Sequence, residues 1–318
     1  MTKYLFGVDV GGTTVKMGLF DKNGNVLEKW EIPTVTANKG ERILPDIADS
    51  IKGKMEAEGI RADQVAGIGM GVPGPVDGQG VIYVTANLGW DHVFSIPEVM
   101  QSYIDIPVLA GNDANVAALG EMWKGGGQGY KNMVMVTLGT GVGGGIIVDG
   151  RVVSGATGAG GEIGHLHIDD QETEECGCHN LGCLEQYASA TGVVRLARRR
   201  LERDDAPSVL REKNLSAKSV FDAVKFGDKV AIEIAEKFGE YLGKGLAIIA
   251  SVVNPEVFVI GGGVSRAGEV LFEYIRPYYM QHAFSGCRQA DFVLATLGND
   301  AGIYGAAKLV IDSQNGKN

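Results

Sequence analysis

The fold turns on residues 133–153, MVMVTLGTGVGGGIIVDGRVV. An apolar run enters a glycine–threonine turn, Gly139–Gly144, that formally fits Gly-x-Gly-x-x-Gly after a strand. A dinucleotide fold would place a helix next, because the pyrophosphate rests on that helix's N-terminus. Here Ile146-Ile147-Val148 continues as a strand and Asp149-Gly150 closes a tight turn, which reads as a β-hairpin and not as the opening of a Rossmann unit. A P-loop is excluded as well, since no glycine-rich loop ends in Gly-Lys-Ser/Thr.

The N-terminal residues 4–20, YLFGVDVGGTTVKMGLF, carry the same strand–turn–strand pattern. A gapless shift of 128 residues sets Gly11 on Gly139, Val8 on Val136, Leu19 on Ile147 and Asp21 on Asp149. Identities are few, so two unrelated hairpins with similar turns stand beside duplication as readings. Each turn offers backbone N–H groups and threonine hydroxyls suited to a polyphosphate. In the first, Asp9 precedes Gly11-Gly12-Thr13-Thr14, and a carboxylate beside a phosphate loop suits Mg²⁺. Lys16 would neutralise phosphate charge; alternatively Asp9 is a turn residue and Lys16 a solvated strand lysine.

Around these hairpins strands alternate with helices, which predicts an α/β fold with largely buried mixed sheets. Strands are expected at 26–32, 65–72, 107–111, 257–260 and 292–295. Helices are expected at 40–58, from 112 through 123, and over 184–203, 216–226, 228–252, 268–283 and 301–311. Glycine, 48 of 318 residues, clusters beside the apolar runs without a Gly-X-Y period. The formal charge of −10 repels polyanions, so nucleic acid is not an expected partner. The longest run free of Asp, Glu, Lys and Arg, Asn132–Val148, is too rich in glycine and threonine for a membrane span. The N-terminus has no signal-peptide pattern. A cytoplasmic protein is expected. The five arginines of 195–203 read as a solvated helix face.

Cys176, Cys178 and Cys183 lie in CGCHNLGC, and His165 precedes Cys176 by eleven residues. Three thiolates and one imidazole suit a structural tetrahedral Zn²⁺. His167 and His179 are rival ligands by spacing, and a cytoplasmic setting disfavours disulfides. Cys287 reads as a small buried apolar residue. Asp113, between a strand and a helix in Gly-Asn-Asp-Ala-Asn, is either a helix N-cap or a general base that takes a hydroxyl proton during phosphoryl transfer. Glu162 and Glu185 flank the cysteine segment and suit hydrogen bonding to a polyhydroxylated ligand.

Taken together, DVGGTT at 9–14, GVPGPV at 71–76, NLGW at 87–90, GNDAN at 111–115, LGTGVGGG at 138–145, GEIGH at 161–165, CGCHNLGCLE at 176–185 and GGGV at 261–264 resemble the ROK family (repressor, open reading frame, kinase) nearly end to end. The resemblance implies the two-domain sugar kinase/actin-like ATPase (ribonuclease H-like) fold with an interdomain cleft. Residues 1–112 with 298–318 would form a small domain, and 113–297 a large one carrying the zinc segment. It assigns Asp113 as the base, and Asn87, Asn112, Glu162, His165 and Glu185 as contacts to sugar hydroxyls. Asp9, Gly11, Gly12, Thr13, Gly139, Thr140 and Gly141 would surround the ATP triphosphate and Mg²⁺, with Gly261, Gly262 and Asn299 near the adenosine. His165 would turn one ring nitrogen to zinc and the other to sugar.

The family's cysteine motif reads C-x-C-G-x-x-G-C, and His179 stands where a glycine is expected; a positive φ there would be tolerated at some cost. Family repressors carry a helix-turn-helix ahead of this region, and eight residues precede Asp9, so DNA binding by that route is not expected. NLGW, GEIGH and CLEQYAS are most similar to the family's glucokinases, which implies transfer of the γ-phosphoryl group of ATP to the glucose 6-hydroxyl. N-acetylmannosamine or another hexose or hexosamine kinase, and a non-catalytic sugar-sensing regulator, are the alternatives. A homodimer or dimer of dimers is the implied assembly.

Overall fold

The computed structural model describes residues 2–83, 87–212 and 214–316. Two compact units emerge: the first holds Met1–Lys131, Gly145–Gly161 and Leu297–Asn318, and the second Asn132–Gly144 and Glu162–Thr296.

In the first unit β1 (Tyr4–Val10), β2 (Thr14–Asp21) and β3 (Val26–Pro33) form an antiparallel meander. Helix α1 (Ile43–Ala57) leads to β4 (Val65–Val72), which pairs parallel to β1. Two short strands, β5 (Val81–Ile82) and β6 (Phe94–Ser95), and helix α2 (Ile96–Gln101) precede β7 (Val108–Asn112), parallel to β4. The sheet order is β3-β2-β1-β4-β7. Helix α3 (Asp113–Lys124) follows β7 directly. Alternation along β1 sends Phe6 and Val8 into the core that holds Ile47 and Ile51 of α1. Leu5 joins the opposite core with Ile303, Ala307 and Val310.

The second unit begins with β8 (Met133–Leu138) and β9 (Val142–Val148), which carries the chain back to the first unit and the two-residue β10 (Arg151–Val152). Helices α4 (Glu185–Ala188), α5 (Ala190–Leu201), α6 (Ala217–Lys225) and α7 (Lys229–Val253) follow, then β11 (Val257–Gly261), α8 (Val270–His282) and β12 (Asp291–Leu294). The second sheet runs β10-β9-β8-β11-β12, with β11 parallel to β8 and to β12. This is the first sheet's topology repeated: a hairpin whose first strand is central, then two parallel strands added on one side. The 128-residue pattern therefore marks a repeated architecture.

The final helix, α9 (Ala301–Gln314), returns to the first unit. Glycines let it lie close. A Cβ on Gly69 would overlap the Ala306 carbonyl, and one on Gly305 the Val116 carbonyl of α3.

The helix expected over 184–203 is two helices. Ser189 adopts an extended conformation (φ −76°, ψ 170°), and its hydroxyl caps α5 by accepting the Gly192 N–H at 2.9 Å. The arginine face is likewise not simply solvated. Arg195 and Arg199 pair with Glu172, whose side chain is 1% exposed, at 2.6 and 3.1 Å. Burial alone would raise Glu172; hydrogen bonds from Arg195, Tyr187 and Arg199 and the Glu174 N–H outweigh it and hold the carboxyl well below its usual range. No helix among the described residues is long and apolar enough to cross a membrane.

Candidate active site

The residues singled out in the sequence form two groups, one in each unit. In the first unit Asp9 is the last but one residue of β1, before the hairpin turn, and pairs across to Lys16 of β2. Burial, and then the Asp113 charge, raise its pKa from 3.8 to about 6, against the opposing pull of Lys16. Two carboxylates and an ammonium therefore share one neighbourhood. The start of α9 closes it from behind: a Cβ on Gly302 would overlap the Asp9 carboxyl, so only glycine fits there. Lys16 Nζ donates to the Asn299 carbonyl at 3.2 Å. The turn is shaped by its backbone. Gly11 N–H donates to the Thr14 carbonyl at 3.0 Å, Thr34 Oγ1 donates to the Gly11 carbonyl at 2.7 Å, and Thr34 N–H donates to the Thr13 carbonyl. Asn87 lies beside Gly12, where a Cβ would stand 3.5 Å from the Asn87 Cβ.

Asn112, not Asp113, caps α3. Its Oδ1 accepts the Asn115 N–H at 3.1 Å and its Nδ2 donates to the Gly74 carbonyl at 3.1 Å. Asp113 is thus the first residue of the helix proper, at its positive end, with Oδ1 accepting the Ala114 N–H at 2.8 Å. Of the two readings of Asp113 in the sequence, the cap belongs to its neighbour.

In the second unit the turn Gly139–Gly141 closes when Gly139 N–H donates to the Gly141 carbonyl at 3.0 Å. Glu185 sits against this turn; its Oε2 accepts the Val142 N–H at 2.8 Å, and any side chain at Gly141 would overlap that carboxylate. Gly262 (φ 83°) packs on the end of β8, where a Cβ would come within 2.6 Å of the Leu138 backbone, which sets Gly261 and Gly262 beside the turn. Glu162 precedes a single 3₁₀ turn, Ile163–His165, in which Gly164 lies against the Val142 carbonyl.

His165, Cys176, Cys178 and Cys183 bring their donor atoms within 4.8 Å of one another, the one such group among the described residues. Cys178 Sγ is 3.6 Å from Cys183 Sγ, and Cys176 Sγ is 3.8 Å from His165 Nδ1. Burial, then hydrogen bonds from Cys178 and Cys176, push the Cys183 thiol up to about 12. The rival histidines lie outside. His167 is held by Asp170 and the Leu181 carbonyl, and His179 is exposed with Nδ1 3.5 Å from Glu175. His179 does adopt the positive φ of the glycine it replaces, 67°. Cys287 is buried, its thiol directed to the Ala250 carbonyl.

Reading by residue type missed four positions that shape these groups: Thr34, Gly302, and the pair Ser189 and Thr191. Ala190 N–H donates to the Gly139 carbonyl at 2.8 Å and Thr191 Oγ1 to the Thr140 carbonyl at 2.7 Å.

A repeated five-stranded topology with a glycine–threonine hairpin at the head of each sheet defines the sugar kinase/actin-like ATPase class. Within that class the chain belongs to the ROK family, matching it over residues 5–313. It is 40% identical to a glucokinase of Halalkalibacterium halodurans across 98% of this chain and 96% of that one. Among solved structures it is similar to a ROK family glucokinase from Streptomyces griseus in complex with glucose and AMPPNP (33% identity, TM-score 0.74, 96% and 98% coverage). It is also similar to a ROK hexokinase from Thermus thermophilus (32%, 0.82, 99% and 100%).

Proposed function

We propose that this protein is an ATP-dependent glucokinase in which Asp113 accepts the proton of the sugar 6-hydroxyl. As that proton leaves, the oxygen forms a bond to the γ-phosphorus, the bond from phosphorus to the bridging oxygen breaks, and ADP departs. The observation that carries the reading is the division of labour at the head of α3: Asn112 takes the capping role, and Asp113 is left beside Asp9 at the helix's positive end. Asn87, Asn112, Glu162, His165 and Glu185 hold sugar hydroxyls in this reading, and Asn112 also fixes the α3 terminus. The turns Gly11–Thr13 and Gly139–Gly141 cradle phosphates through backbone N–H groups, Lys16 offsets their charge, and Gly261, Gly262 and Asn299 line the adenosine. Asp9 is the residue that would hold Mg²⁺, which supplies charge neutralisation at the β- and γ-phosphates. The domain division read from the sequence, 1–112 with 298–318 against 113–297, differs from the two compact units, which group 113–131 and 145–161 with the first; a cytoplasmic location and a homodimer or dimer of dimers belong to this proposal, the last testable by light scattering.

The Cys₃His group would hold a structural zinc. Sulfur ligands about 2.3 Å from a tetrahedral ion would stand about 3.8 Å apart and a sulfur–nitrogen pair about 3.6 Å apart; the Cys178–Cys183 separation is 3.6 Å and the Cys176–His165 separation 3.8 Å. Three clustered thiols, one of them pushed up to about 12, ionise together only when a cation compensates them. His165 presents Nδ1 to the cluster, which fixes the direction of its other ring nitrogen. Metal analysis of protein purified without chelator is expected to give about one zinc per chain; none, with the thiols reduced, would refute the site.

The test of function is ADP release from Mg·ATP with glucose, mannose, fructose, N-acetylglucosamine and N-acetylmannosamine. Preference for glucose is expected. Preference for an acetylated sugar would move the substrate to the hexosamine reading, and no turnover with retained sugar binding would favour the non-catalytic sensor.

A further inference from the structure

Helix α5 starts directly behind the second glycine turn, and the contacts there are of an unusual kind. Ser189 already caps the helix through the Gly192 N–H, so the capping requirement is met. Thr191, two residues on and exposed, nevertheless sends its hydroxyl off the helix to the Thr140 carbonyl at 2.7 Å. Beside it the Ala190 N–H holds the Gly139 carbonyl at 2.8 Å. Water would satisfy an exposed threonine equally well, so this bond does something other than bury a polar group.

Peptide geometry shows what. In a planar trans peptide the C=O and N–H point in opposite directions. Tying the Gly139 and Thr140 carbonyls to α5 therefore turns the next two N–H groups, those of Thr140 and Gly141, away from it. The flanking N–H groups are already spent: Gly139 donates to the Gly141 carbonyl and Val142 to Glu185. What is left is two successive N–H groups facing one way, the arrangement that receives a phosphate oxygen.

We propose that Thr191 and the Ala190 N–H are positioning groups for phosphoryl transfer, holding the Gly139–Thr140 carbonyls back so that the Thr140 and Gly141 N–H groups meet the nucleotide's phosphates. This rests on the kinase reading above.

The test compares wild type with Thr191→Val, Thr191→Ser and Ala190→Pro, all purified without chelator. Thr191→Val keeps the shape and removes the hydroxyl. The expected result is a KM for Mg·ATP about fivefold higher, the effect of one hydrogen bond, with the glucose Kd from calorimetry and the melting temperature unchanged. Thr191→Ser restores the wild-type value. Proline is at home in the first position of a helix, and Ser189 already has the extended conformation proline demands before it. Ala190→Pro thus spares the helix but places its ring against the Gly139 carbonyl, and a loss of more than about tenfold in kcat/KM for Mg·ATP is expected. A wild-type KM in Thr191→Val, an equal loss of glucose affinity, or no rescue by serine would overturn the proposal. Equilibrium Mg·ATP binding separates the two layers. If wild type phosphorylates no sugar, the kinase reading falls; a weaker Mg·ATP Kd in Thr191→Val still upholds the positioning role, and an equal Kd refutes it.

Discussion

Asp9→Asn is expected to make the protein more stable and less active. Burial and the facing Asp113 raise Asp9 from 3.8 to about 6, so the folded chain holds that proton more tightly than the unfolded chain does. The stability tied to the protonated form is fully present below pH 3.8 and is lost as pH rises through 6. At pH 8 the ionised Asp9 therefore destabilises the fold, and each pH unit of displacement corresponds to about 1.4 kcal/mol, or about 3 kcal/mol in all. Some solvent reaches Asp9, which makes 3 the upper end. Asparagine keeps the shape without the charge. The difference in unfolding free energy, Asp9→Asn minus wild type, should be about 1 kcal/mol near pH 4.5 and rise to a plateau of about 2–3 kcal/mol above pH 7. Urea denaturation without magnesium or nucleotide measures it. All three tryptophans, Trp30, Trp90 and Trp123, lie in the same unit as Asp9, so fluorescence reads the relevant transition. A difference that does not change between pH 5 and pH 8, or a variant less stable than wild type at pH 8, would refute the argument. Phosphoryl transfer should fall in the same variant, because the carboxylate that strains the fold is the one proposed to hold the metal.

Asp113→Asn should lower glucose-dependent turnover by about 10²–10⁴-fold, the usual contribution of a general base, with glucose binding by calorimetry preserved; near-normal turnover would remove Asp113 from the mechanism. Glu172→Gln breaks a buried pair with Arg195 and should destabilise the protein by about 3 kcal/mol at pH 7. Because the Glu172 carboxyl is held below its ordinary 4.5, that contribution is present above pH 4.5 and fades as pH falls, so thermal melts of variant and wild type should converge in acid. Thr34→Val, which deletes the bond to the Gly11 carbonyl, should raise the KM for Mg·ATP about fivefold. Combined with Thr191→Val the effects should multiply, since the two threonines sit in different units, and a double variant no worse than either single one would contradict that.

Much of the architecture is legible in the sequence because it is written in local pattern. Apolar runs flanking glycine–threonine turns mark both hairpins, the run Val257–Ile260 marks a buried strand, and Asp228 marks the start of α7, where its carboxylate accepts the Ala231 N–H. Elements without a period escape: β5 and β6 are two residues each, and α2 is six. The break at Ser189 escapes for the opposite reason, since alanine, the best helix former, stands on both sides of it and only the tertiary contact with the glycine turn decides between helix and cap. The site divides in the same way. Carboxylates and cysteines announce themselves by type and motif. Thr34 and Thr191 do not, because they act on carbonyls 23 and 51 residues away, and no spacing rule reaches that far.

Those two threonines also show what the repeated topology conserves and what it does not. In each unit a threonine hydroxyl holds a carbonyl of the hairpin turn at 2.7 Å. In the first unit it comes from the chain just past β3, an eight-residue strand that runs the length of β2 and delivers Thr34 to the turn. The corresponding strand of the second sheet, β10, has two residues and pairs only with Val148 and Ile147 at the far end of β9. It stops well short of the turn, so β10 does not reach the carbonyls. The start of α5 supplies the hold instead, adding its own N–H to the hydroxyl. The physical requirement is the same in both units, carbonyls drawn back so that N–H groups point out. The hairpin repeats along the chain because it is local; its brace does not, because any element that brings a donor to the same place will serve.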